Sequence, residues 1–154
     1  MQRPSLPLLT SLASLLLASA CVSAAAGPVP VELGSQGFLP GDAIVIEEVW
    51  STTGDLREGA EVVVSGRVSL ASHELAQLYL GTTSVEPALY FGQVIVEAGT
   101  TPFELAHVLP ASGRPHLSFY DIHTGAPFGG VSFGTGVYLQ AAKAWDAEAV
   151  IAGE

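Results

Sequence analysis

The chain has 154 residues, 49% of them hydrophobic and 13% charged, with a mean hydropathy of +0.45; that is about one domain of chain, and too apolar for a disordered one. Its 15 acidic and 5 basic residues leave a formal net charge of −10, which repels nucleic-acid phosphates and anionic lipid headgroups. The single cysteine, Cys21, excludes an intramolecular disulfide and any CxxC zinc site.

Residues 1–26 read as a signal peptide. Arg3 is the one charge near the start, the apolar run Leu8–Ala18 follows, and small residues come next. Ala18-Ser19-Ala20 offers an A-x-A cut before Cys21, and Val22-Ser23-Ala24 and Ala24-Ala25-Ala26 offer later ones. The run is short of the ~20 residues a bilayer span takes, so the mature chain is expected to carry no transmembrane span. The Leu17–Cys21 stretch also resembles a bacterial lipoprotein signal, in which the cysteine is lipidated. The large aliphatic residue lies one place early, with Ala18 in its position. Cys21 is thus a possible lipid anchor beside the plain cut, and the expected location is exported: periplasmic, surface or extracellular.

Gly27–Pro40, dense in glycine and proline, reads as an extended lead-in, and the domain proper is expected over 41–154. Ala43–Trp50 is rich in β-branched residues and reads as a strand. Its Glu47-Glu48 pair, inside a regular strand, is expected to point to opposite faces. Glu61–Ala71 alternates with period two: Val62, Val64, Gly66, Val68 and Leu70 on one face, Glu61, Val63, Ser65, Arg67 and Ser69 on the other. Gly66 on the apolar face marks a bulge or a close backbone approach. Leu75–Thr83 reads mostly as strand, although Ser72 has the chemistry to cap a short helix there.

Ala88–Ala98 is a further strand, Gly99–Pro102 a turn, and Phe103–Leu109 an alternating strand. Pro110–Pro115 is turn chemistry, His116–Ile122 a strand, and His123–Gly130 a glycine-rich loop. Val131–Phe133 is extended, and alanine-rich 137–151 suggests a short C-terminal helix. The expected fold is therefore all-β: an antiparallel sandwich of about six to seven strands.

Four histidines occur, and His116, Asp121 and His123 fall within eight positions of one another. Imidazole and carboxylate suit zinc or copper. Asp121 and His123 share a strand face, whereas His116 has the opposite parity, and the spacing matches no zinc signature. Ser118 beside His116 and Asp121 supplies the inventory of a Ser/His/Asp triad, but no G-x-S-x-G elbow is present. The Gly125–Gly130 run lacks the Lys-Ser/Thr of a phosphate loop.

Gly41-Asp42-Ala43-Ile44-Val45-Ile46, Ser69–Ala76, His116-Leu117-Ser118-Phe119-Tyr120 and Phe128–Gly134 carry a resemblance. The chain is similar over about Gly41–Gly136 to a group of uncharacterised secreted bacterial β-domain proteins with a G-D-x-I-x-I start and an H-x-S-F-Y segment. The resemblance implies a compact β domain and carries over no activity, none being known for the group.

The function expected from these readings is a non-catalytic exported or envelope-associated module, binding or structural, of unknown partner, without a cofactor or a nucleic-acid ligand. Its recognition surface is expected at Tyr120, Asp121, His123 and Phe128, although Phe128 and Phe133 also suit the closing of the sandwich end. The alternative is a secreted metal-binding protein or hydrolase using His116, Asp121 and His123.

Overall fold

A computed structural model describes residues 25–83, 90–110 and 114–135. They form seven antiparallel strands and, among the described residues, no helix. The strands are β1 (Gly27–Pro28), β2 (Glu32–Gly37), β3 (Ala43–Ser51), β4 (Glu61–Thr83), β5 (Tyr90–Val108), β6 (Arg114–Asp121) and β7 (Pro127–Gly134). All belong to one sheet in the order β1-β3-β4-β6-β7-β2, with β5 along the other edge of β4. The all-β antiparallel class holds. The hydrogen bonding, however, makes one curled sheet rather than two separate ones. The helix expected over 137–151 and the part of the expected signal peptide before Ala25, Cys21 included, lie outside the described residues.

The lead-in contributes to the sheet. Gly27 and Pro28 pair with Ser51 and Trp50 of β3, and Glu32–Gly37 pairs with β7. Proline is admissible in β1 because such a short edge strand needs few of its N–H groups.

Two expected strand pairs are each one long strand. Glu61–Ala71 and Leu75–Thr83 run together as β4, and the Gly99–Pro102 turn lies inside β5. The chain bends here instead of reversing. β4 advances from Leu70 to Leu75 while β5 moves only from Gly99 to Glu97, so β4 carries a wide bulge at this corner. Gly99, at φ +107°, supplies the left-handed residue opposite it. Ser72 stays in the strand and caps no helix. Because the bulge adds an odd number of residues, the inward parity of β5 switches across it. Phe103, Leu105 and His107 are buried on one side of the corner and Gly92 and Val96 on the other.

β3 and β6 succeed each other along the same edge of β4, β3 on Val62–Ser69 and β6 on Ala76–Thr83. The corner folds these halves over one another. A Cβ on Gly92 would lie 2.7 Å from the Ala106 carbonyl oxygen, so the two arms of β5 touch face to face there. One core fills the fold. Val62, Val64, Val68 and Leu70 from the first arm of β4 join Leu78 and Leu80 from the second, Leu117 and Phe119 from β6, and Val131 and Phe133 from β7. The alternation read in Glu61–Leu70 is observed, with Val64 and Val68 fully buried and Glu61 and Arg67 exposed.

Candidate functional site

The loop after β6 is a tight, self-bonded turn. Asp121 Oδ1 accepts the N–H of His123 at 2.8 Å, the N–H of Thr124 at 2.7 Å and the Thr124 hydroxyl at 3.0 Å. The Asp121 N–H donates to the Ala126 carbonyl, and the Gly125 N–H, at φ +69°, donates to the Asp121 carbonyl. Bonds from Thr124 and then His123 hold the Asp121 carboxyl below the usual carboxylate range. Aspartate favours such turns because its side chain reaches the N–H groups two and three residues on.

Asp121 Oδ2 faces the β4 corner. His73 Nε2 lies 3.7 Å from it, and His73 Nδ1 lies 2.7 Å from the Ser72 hydroxyl. That hydroxyl donates to Asp42 Oδ2 at 2.6 Å, while Asp42 Oδ1 accepts the N–H groups of Ala71 and Ser72 at 2.8 and 3.0 Å. Asp42 is buried, so these bonds offset its desolvation and pin the corner. The His73 ring stacks on Phe128, centroids 4.0 Å apart and 23° between planes, and Phe128 stacks on Phe119 at 5.6 Å.

This chain, Asp42–Ser72–His73–Asp121, is the histidine–serine–carboxylate constellation the structure assembles. It is not the one the sequence spacing suggests. Ser118 is buried in β6, opposite Tyr79 and Gly130 in the ladder. A carboxylate only accepts, so the single Ser72 proton goes to Asp42. His73 Nδ1 must then carry the hydrogen it shares with Ser72, and in that tautomer it has no lone pair with which to take a proton from the hydroxyl. A nucleophilic serine needs the opposite arrangement.

The expected site residues are only partly brought together. Asp121 and His123 are neighbours in the turn, with His123 exposed. His116 is buried in the sheet opposite Gly81 and Ser132. Its electrostatic neighbour is His107, whose imidazole is held below its usual range by burial first and by the His116 charge second. Among the described residues no group of three His, Cys, Asp or Glu side chains could hold a metal ion. Tyr120 is half-buried and meets Tyr79 edge-on at 4.8 Å. Phe128 is buried between His73 and Phe119, which leaves little of it for a partner. Ser72, His73 and Asp42 are not legible as a cluster in the sequence, because no local spacing links Asp42 to a corner 29 and 30 positions later.

The Glu47-Glu48 pair departs from expectation. Ile46 pairs with Gly66 and Glu48 with Ser65, so Glu47 is an extra residue in β3. Ile44 and Ile46 fall opposite inward positions of β4, and so do Val49 and Ser51. The bulge thus resets the parity and leaves both glutamates on the exposed face. Gly66 makes it possible. A Cβ there would lie 2.0 Å from the Val45 carbonyl oxygen.

Among the described residues no helix is long and apolar enough to cross a membrane. No protein-family model matches this chain, no curated protein matches it, and no solved structure matches it.

Proposed function

We propose that the chain is an exported, non-catalytic β module that acts by binding or as an envelope component. The observation that supports this most is the commitment of the corner's polar groups to the fold. Asp42 and Asp121 each spend an oxygen on backbone N–H groups, and the Ser72 proton is given to Asp42. The export part rests on the leader-like residues 1–26.

The second reading, a hydrolase, is favoured by one observation, the 2.7 Å contact of the Ser72 hydroxyl with His73. Two measurements test the proposal. Made in a bacterial host, the protein should leave the cytosol with its N-terminus between Cys21 and Gly27; an intact Met1 chain in the cytosol overturns export. With p-nitrophenyl acetate, the purified protein should match its Ser72→Ala variant. Turnover that disappears in the variant moves the preference to the hydrolase.

A further inference from the structure

The path of the sheet ends in β1 at one side and β2 at the other, and the three-residue link Val29–Val31 joins them. The curl therefore brings the two ends of the sheet together. The ladder does not close across the join. Among the described residues β2 pairs only with β7, and β1 covers β3 only at Trp50 and Ser51. The Val29 N–H adds one bond to the Val49 carbonyl at 2.7 Å. From Ala43 to Glu48 the edge of β3 that faces away from β4 is without a strand partner among the described residues.

A groove of about 810 Å³ follows this join, with Pro28–Val31 and Leu33 on one side and Ile46–Val49 on the other. Its volume is in the range of known ligand clefts. An open strand edge offers alternating N–H and C=O groups to another extended backbone. The walls are aliphatic and proline-rich, and Leu33 is 51% exposed. The bulge sets both Glu47 and Glu48 in the lining, and no basic residue lines the groove.

The charges choose the occupant. Arg67 reaches across from β4 to Glu47 at 3.2 Å, which shows that this carboxylate accepts a guanidinium. Both side chains are more than half exposed, so the pair is weak and displaceable. Glu48 has no ion-pair partner among the described residues. A second copy of a chain of net charge −10 is disfavoured by repulsion.

We propose that the join is a binding groove for an extended, basic segment of a partner protein. The segment's backbone adds to the Ala43–Glu48 edge, its arginine or lysine heads meet Glu48 and Glu47, and its apolar side chains lie on Val31, Leu33 and Ile46. This deepens the binding-module reading and rests on it.

The test is fluorescence anisotropy of the full exported chain with a labelled acetyl-Val-Arg-Val-Arg-Val-amide peptide. Binding is expected to saturate, and to weaken about tenfold or more when Glu47→Gln and Glu48→Gln are combined. It should tighten in Arg67→Ala, which frees Glu47; a folding defect would not move the two variants in opposite directions. Amide exchange at Ala43–Glu48 should slow when the peptide is added. The same affinity for acetyl-Val-Gln-Val-Gln-Val-amide, no loss in the Gln variants, or an equal loss from Glu97→Gln with Glu104→Gln on β5 overturns the proposal. So does protection along the β5 edge in place of β3, or the absence of binding. Any of these removes the groove alone if export and the lack of Ser72-dependent turnover stand.

Discussion

The sheet is interrupted twice, and the two interruptions are stabilised by opposite means. At the β4 corner the chain skips its pairing between Leu70 and Leu75, and polar bonds hold it: Asp42 takes two backbone N–H groups and the Ser72 hydroxyl. At the β3 bulge the chain inserts Glu47, and an absent atom accommodates it, since Gly66 leaves room for the Val45 carbonyl. The corner consumes its carboxylates in holding itself. The bulge turns two carboxylates to the surface, where among the described residues only Glu47 is engaged, in an exposed pair with Arg67. The cluster richer in chemistry-bearing residues is thus the one whose polar groups are bonded within the fold, and the plainer stretch of strand carries its carboxylates at the surface.

Both interruptions act on the first arm of β4, Glu61–Leu70, and the largest expected effect tests that arm. Val64 is fully buried and pairs with Leu105 and Val49. Val64→Asp buries an unpaired charge and should cost about 3 kcal/mol or more, out of a typical ~5–15. Ser69→Asp, on the wetter face, should cost far less. Urea midpoints for the two variants separate the faces; equal shifts would mean the arm is not the two-faced strand described.

Gly66→Ala addresses the bulge. The new Cβ meets backbone, which cannot rotate away, so the expected cost is about 2–3 kcal/mol. Gly59→Ala is the control. Nothing lies within 4 Å of its Cβ, and only its φ of +77° penalises it, by about 1 kcal/mol. If the two cost the same, close approach is not what Gly66 is for, and the outward placement of both glutamates loses its cause.

Asp42→Ala addresses the corner. It strips the Ala71 and Ser72 N–H groups of their acceptor, for an expected loss of about 2 kcal/mol in the same melts. Asp42→Asn keeps an acceptor for both N–H groups and should lose less. A corner that tolerates Ala as well as Asn would be held by packing around Leu70 and Phe128 and not by Asp42.

The two interruptions also mark how far the sequence is legible. Period-two alternation identified the faces of β4 because one side is apolar and the other wet, and a lone glycine on the apolar side flagged the bulge. The rest depended on partners distant in sequence. Gly99-Thr-Thr-Pro has turn composition, and only the register opposite residues 71–74 makes it a bend within a strand. Glu47-Glu48 looked split between faces because alternation assumes no inserted residue. His116, Asp121 and His123 are close in sequence, yet the sheet buries the first and leaves the third exposed, while His73, from ~50 residues earlier, takes the place beside Asp121.

The smallest effects are in the pH profile, and they too divide by region. His107, in the core face of β5, has a folded-state pKa below the ordinary 6.5, so the unfolded chain binds the extra proton first. Its contribution is fully present above about pH 6.5 and is lost as pH falls from there through the lowered folded value. Asp121, in the turn, is also lowered, from 3.8, because its bonds favour the charged form. Its contribution is present above its unfolded value and is lost only below it, as the turn's acceptor is protonated. Urea midpoints taken between about pH 8 and pH 2.5 should thus show two falls, an upper one and an acid one. His107→Leu should flatten the upper fall and leave the acid one. Asp121→Asn, which keeps an oxygen for the His123 and Thr124 N–H groups, should do the reverse with little change near neutrality. A single fall removed by either variant would mean that the core of β5 and the β6–β7 turn do not titrate separately.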